Sequence, residues 1–69
     1  MIKLYCLNKN AQMSGEHEIH TSDCLYVPSA ENRIILGYFA NSEDAMREAR
    51  KHYYNVDGCW FCCHESHKK

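Results

Sequence analysis

Cys59-Trp60-Phe61-Cys62-Cys63-His64-Glu65-Ser66-His67, residues 59–67, is the stretch on which the reading of this chain turns. Its C-x2-C-C-H-x2-H spacing crowds five potential metal donors into nine residues. Two more, His20 and Cys24 in H-x3-C, stand well upstream, Cys24 lying 35 positions before Cys59. Structural zinc sites are closed tetrahedra of thiolates and neutral imidazoles, commonly supplied as short-spaced pairs. Two intervening residues let a tight turn put both sulfurs on one side, and three let a bent loop aim an imidazole and a thiol at one point. Two such pairs from distant segments would tie both halves of the chain to a single ion.

The first choice of ligands is His20, Cys24, Cys59 and Cys62, holding one Zn2+ per chain. Cys63 is the main alternate to Cys62, since C-x3-C also closes on a metal, and His67 or His64 could replace a cysteine or His20. Adjacent residues seldom both reach one ion, so Cys62 and Cys63 take different roles, the loser packing as a small buried hydrophobe. Gly58, just before Cys59, gives that turn conformational freedom.

Working back from Gly58, Asn55-Val56-Asp57-Gly58 reads as a turn. Before it, Ala45, Met46, Ala49 and Tyr53 form a narrow apolar stripe at helical spacing. Asn41 or Ser42 can cap that helix, Glu43 and Asp44 suit its positive end, and the helix should run to near Tyr54. Arg33 to Phe39 is the strongest strand, with Gly37 marking a bulge or a close backbone approach. Ile2 to Leu7 alternates as a half-buried strand, and turn residues at 8–15 return the chain along Glu16 to Ile19, which delivers His20. The expectation is an α+β fold: a zinc-stabilised domain over 1–69 with a short antiparallel sheet of about three strands and one helix.

Size makes the metal matter. A chain of 69 residues buries a modest share of its surface and commonly needs a metal, a disulfide or a partner. A closed zinc site, worth about 10–16 kcal/mol in small peptides, can decide whether such a chain folds. Eight Lys/Arg against nine Asp/Glu give a net charge of −1, so no global field draws in nucleic acid or an anionic membrane. The apolar run 34–40 is too short to cross a bilayer, and the start lacks the pattern of a secretory signal. Five cysteines, two of them adjacent, suit reduced thiols on a metal better than a secreted disulfide framework. A cytoplasmic monomer is expected.

The remaining candidates have plainer roles. Cys6, on an alternating strand, reads as core. His17 and His52 sit among charged residues and read as solvated, and the tail from His64 as prone to fraying. Trp60 and Phe61 read as a dry shield for the metal. A catalytic zinc keeps a position open for water, whereas seven candidate ligands favour a closed site. No acidic residue has obvious spacing to orient a catalytic Cys/His pair, so no enzyme is expected.

Four segments together resemble the Ada-like metal-binding domain: Tyr5-Cys6-Leu7-Asn8-Lys9-Asn10, His20-x3-Cys24, Phe39-Ala40-Asn41-Ser42-Glu43-Asp44-Ala45 and Cys59-x2-Cys62. That small zinc fold opens a bacterial methylphosphotriester DNA-repair protein and is appended to some nucleases and DNA-uptake proteins. The resemblance implies a small α+β fold around one zinc held at His20, Cys24, Cys59 and Cys62. In the repair protein the position matching His20 is the methyl-accepting cysteine. A histidine there lacks the thiolate, so the resemblance implies a non-methyltransferase branch. Gly58 where the family has proline, and the extra tail after Cys62, also set this chain apart. Three functions follow as expectations. The first is a zinc-stabilised interaction module with an unknown protein partner. The second is a nucleic-acid-binding module using Arg47, Arg50, Lys51, Lys68 and Lys69, and the third a thiol-based metal-handling or redox-responsive protein.

Overall fold

The alternation at the start of the chain folds as β1 (Lys3–Asn8) in the computed structural model, which describes residues 1–68. β2 (His17–Thr21), β3 (Arg33–Phe39), α1 (Ser42–Ala49) and β4 (Val56–Gly58) follow, with 3-10 turns at Ala30–Asn32 and His64–Ser66. The sheet order is β3-β1-β2-β4. β1 runs antiparallel to both neighbours, and β4 joins the free edge of β2 in parallel. The α+β class is as expected from the sequence, with one more strand and one parallel pairing than the sequence suggested.

The extra strand is the segment that reads as a turn. Asn, Asp and Gly carry turn propensity, yet Val56, Asp57 and Gly58 stand in register with His17, Glu18 and Ile19. Backbone pairing along an otherwise open edge overrides the local preference, as strand propensity commonly yields to context. Gly37, by contrast, does what its position implies. Tyr5 faces Gly37 while Cys6 faces Ile35, leaving Leu36 as an extra residue, and Gly37 takes φ +124°. This is a bulge built on a glycine torsion.

α1 starts where its cap dictates, with Asn41 Oδ1 accepting the Asp44 N–H at 2.9 Å. It ends at Ala49, short of the expected Tyr54. The N–H groups of Lys51 and His52 bond three residues back, to Glu48 and Ala49, and the tightened turn closes the helix. Tyr53 is then free to stack on His17, ring centroids 3.6 Å apart and nearly coplanar. His17 is therefore not solvated as expected; its Nδ1 donates to the Asn8 carbonyl at 3.0 Å.

The helix lays Ala45, Met46 and Ala49 over Tyr5, Leu7, Ile19 and Leu36, with Cys63 closing the cluster. Each large side chain fully buried there stabilises the fold by roughly 1.5–3 kcal/mol. The C-terminal segment is pinned beneath the sheet edge rather than frayed. The hydroxyls of Ser66 and Ser42 lie 2.5 Å apart, and Ser66 also donates to Glu43 at 2.9 Å. Asp57 accepts the Lys68 N–H at 2.7 Å and faces His67 Nδ1 at 3.3 Å. Of the cations raised as phosphate contacts, Arg47 pairs with Asp44 and Lys51 with Glu48, while Lys69 lies outside the described residues. Among those residues no helix is long and apolar enough to cross a membrane.

Candidate metal centre

Both halves of the candidate centre are delivered by β2 and its parallel neighbour. His20 lies near the end of β2, opposite Cys6 of β1. Beyond it the chain turns sharply: Cys24 N–H donates to the Thr21 carbonyl at 3.1 Å, and Thr21 Oγ1 donates to Asp23 at 2.8 Å. On the other side, Cys59 N–H donates to the Ile19 carbonyl at 3.0 Å. That bond extends the β2–β4 ladder by one residue and brings Cys59 alongside His20. A helical turn then closes with Cys63 N–H on the Cys59 carbonyl, 2.9 Å, which lifts Cys62 toward the same point.

The result is a cluster in which one donor atom each of His20, Cys24, Cys59 and Cys62 lie within 4.8 Å of one another, close enough to hold a metal ion. Cys24 Sγ and Cys59 Sγ are 3.9 Å apart. A tetrahedron with metal–sulfur bonds of about 2.3 Å has edges near 3.8 Å, so the sulfurs already stand at ligand separation. Backbone N–H groups of Thr21 and Tyr26 point at Cys62 Sγ (3.3 Å) and Cys24 Sγ (3.4 Å), the placement that stabilises negative sulfur.

Two observations test whether these residues fit a cation. His20 is buried at 2% exposure, and its Nδ1 has no hydrogen-bond partner among the described residues. An orphaned buried nitrogen costs about 1–3 kcal/mol, a cost that coordination would remove. The thiols argue the same way. Burial pushes Cys59 up to about 12 and raises Cys24, while Cys62 is raised first by its hydrogen bond with Cys63 and then by burial. Three reluctant thiols converging on one point gain a reason to ionise only when a positive charge arrives there.

The alternates are placed elsewhere. Cys63 Sγ is 3.7 Å from Cys62 Sγ but is buried in the apolar cluster. Cys6 is fully buried, its thiol raised chiefly by burial, as a core cysteine should be. His64 packs its edge against Trp60. His67 joins a second grouping with Glu18 and Asp57, donor atoms again within 4.8 Å. Its Nδ1 donates to the Gly58 carbonyl at 2.9 Å, so that grouping is a hydrogen-bonded clasp. Glu18 and Asp57 were not singled out from the sequence. Each stands two residues before a ligand, His20 or Cys59, and only the unforeseen β2–β4 pairing sets them side by side.

Gly58 also differs from expectation. It is absent from the glycines of positive φ, Gly15 and Gly37, so torsional freedom is not what it supplies. A Cβ there would stand 2.7 Å from the Cys63 carbonyl oxygen and 2.8 Å from Ser66 Cβ. The turn needs the room.

Trp60 and Phe61 rim the centre rather than shield it, each more than half exposed. Phe61 stacks on Tyr26 at 4.5 Å, and the pair walls a cavity of about 360 Å3 that also touches Cys24, Cys62, Lys3 and Asp23. No protein-family model, curated protein or solved structure matches the chain.

Proposed function

We propose that this is a non-enzymatic zinc-binding domain in which the ion is structural and the surface around it engages a protein partner. The observation that carries the reading is the convergence of His20, Cys24, Cys59 and Cys62 from both halves of the chain. Three thiols and one imidazole at tetrahedral separations suit Zn2+ above harder cations. Four protein donors fill a tetrahedron, leaving no position for a reacting water.

Exposed apolar side chains support the interaction role. Leu25, Tyr26 and Phe61 line the cavity beside Cys24 and Cys62, Trp60 lies between Cys59 and Cys62 in sequence, and all four are more than half exposed. Apolar exposure grouped in this way commonly marks contact surface. The likeness to the Ada-like domain rests on the short motifs and the shared ligand order. On that likeness a place in a cytoplasmic DNA-processing protein is a further expectation, and His20 in place of a thiolate keeps methyl transfer out of it.

Elemental analysis of purified protein, followed by chelation, tests the reading. One zinc per chain is expected, and its removal should collapse the amide dispersion of β4 and the C-terminal segment and reduce the far-ultraviolet circular dichroism. A metal-free protein with a native spectrum and a cooperative melt overturns it.

A further inference from the structure

His20 has two ring nitrogens in different surroundings. Nδ1 is the buried orphan. Nε2 faces Glu18 Oε1 at 3.7 Å, both side chains being mostly buried. Glu18 stands two residues before His20, so both side chains leave β2 on the same face. Behind it the clasp continues: Glu18 is in register with Asp57 on β4, and Asp57 faces His67, whose Nδ1–H is held by the Gly58 carbonyl. Nε2 thus has a carboxylate beside it, and Nδ1 is the ring nitrogen left without a hydrogen-bond partner among the described residues.

We propose that Glu18 is a positioning residue for the metal centre: it holds the proton of His20 on Nε2 and so presents Nδ1 to the cation. This rests on the metal-binding reading above. The chemistry is general. A neutral imidazole carries its proton on one nitrogen and coordinates through the other, and a carboxylate on the protonated nitrogen fixes tautomer and ring orientation and makes the ligand more basic. A separation of 3.7 Å is a few tenths of an ångström beyond a hydrogen bond, a gap that a small tilt of the ring closes as Nδ1 is drawn toward the thiolates. His20 also interacts with the Cys62 thiol, itself a candidate ligand, so Glu18 is the carboxylate placed at Nε2.

The test uses the whole chain and three substitutions. Glu18→Ala removes the acceptor, Glu18→Gln keeps an oxygen that accepts from Nε2–H while losing the charge, and Glu31→Ala removes an exposed acid away from the site. Two quantities are read: the affinity for Zn2+ by competition with a chromophoric chelator, and the His20 tautomer by long-range 15N–1H correlation, with and without Zn2+. Removal of such a carboxylate weakens metal binding by about 10–100-fold. Glu18→Ala should fall in that range and lose the uniform Nε2–H tautomer, Glu18→Gln should recover most of both, and Glu31→Ala should match the parent. Coordination through Nε2, or Glu18→Ala with unchanged tautomer and affinity, overturns the proposal. Wild-type protein that binds no zinc refutes the metal reading instead, and the tautomer of the metal-free chain still decides the role of Glu18. If Glu18→Ala loses the native amide spectrum, Glu18→Gln decides alone: Nε2–H kept with tight binding supports the proposal, and Nδ1–H overturns it.

Discussion

Gly58→Ala is the substitution that most directly joins the fold to the centre. The added methyl would lie 2.7 Å from the Cys63 carbonyl oxygen, 2.8 Å from Ser66 Cβ and 2.9 Å from the Ser66 carbonyl carbon. Ordinary contact begins near 3.4 Å, so each gap must open by about 0.5–0.7 Å. None of these atoms lies at the free end of a flexible side chain, so no rotamer change relieves the clash and the segment 59–66 must move away from β4. Overpacking of this kind costs about 1–3 kcal/mol. Restricting the unfolded chain returns about 0.4–1 kcal/mol, which leaves a net loss of about 1–2 kcal/mol. In a domain of this size that lowers the melting temperature by roughly 5–15 °C. Because Cys59 and Cys62 bracket the displaced turn, part of the strain should also appear as weaker metal binding, about tenfold for each 1.4 kcal/mol. The control is Gly37→Ala, where the only near contacts are with the Phe39 ring at 3.6 Å and beyond and the obstacle is φ +124°. It should lower the melt by a similar amount and leave metal affinity alone. Differential scanning fluorimetry and chelator competition read both quantities. Gly58→Ala that melts with the parent and binds as tightly would refute the close-approach argument.

Other substitutions separate the parts of the molecule. Cys59→Ser should abolish stoichiometric zinc in elemental analysis, whereas Cys63→Ser should retain it and lose about 1–3 kcal/mol in a urea melt, because a hydroxyl replaces an apolar thiol in the core. Met46→Ala, 2% exposed on the buried face of α1, should cost about 2–4 kcal/mol by cavity formation without changing the ligand set, checked by cobalt absorption spectra. The Ser42–Glu65 hydrogen bond of 2.7 Å holds the Glu65 carboxyl below the usual range. The stability it lends is present above the unfolded value and lost as pH falls through the folded one. Acid should loosen the C-terminal segment from α1 below about pH 4.5, and Ser42→Ala should remove that step from a Trp60 fluorescence titration of the zinc-loaded chain, with bound zinc followed in parallel so that loss of the ion is scored separately.

Residues whose role is set by local spacing were legible. The strand at β1, the cap at Asn41, the bulge at Gly37 and the short ligand pairs all depend on neighbours within a few positions, and the structure has each of them in place. β1 is nevertheless not half-buried as its alternation suggests: Tyr5, Cys6 and Leu7 are all buried. What escaped depends on long-range pairing. Val56-Asp57-Gly58 has the composition of a turn, and nothing local says that an open edge of β2 will recruit it as a strand. From that one event follow the tie of Asp57 to His67, the adjacency of Glu18, and the burial of a tail that is polar in composition. His17 was misjudged for the same reason, since its stacking partner Tyr53 arrives from 36 positions away.

The parallel addition of β4 also explains why the centre stands where it does. A parallel pair needs a crossover, and here β3 and α1 lie between the two strands in sequence, so the β2–β4 pairing closes a long loop. Three residues of pairing are too few to hold that junction alone. Cys24 and Cys59 flank it on opposite sides of a 35-residue separation, and a covalent link closing a loop of that length removes roughly 3–4.7 kcal/mol of chain entropy from the unfolded state. A metal joining the same two segments acts in the same sense, and it does so at the weakest seam of the sheet. On the metal-binding reading, coordination at that seam is coupled to the last strand pairing, so a chain without metal should lose β4 and the C-terminal segment before it loses the β1–β2–β3 meander. Native-state hydrogen exchange of the metal-free chain resolves the order: fast exchange at Cys59 and Cys63 amides beside slow exchange at Leu7 and Ile19 is the expected pattern, and uniform protection across both would show that the pairing holds without the ion.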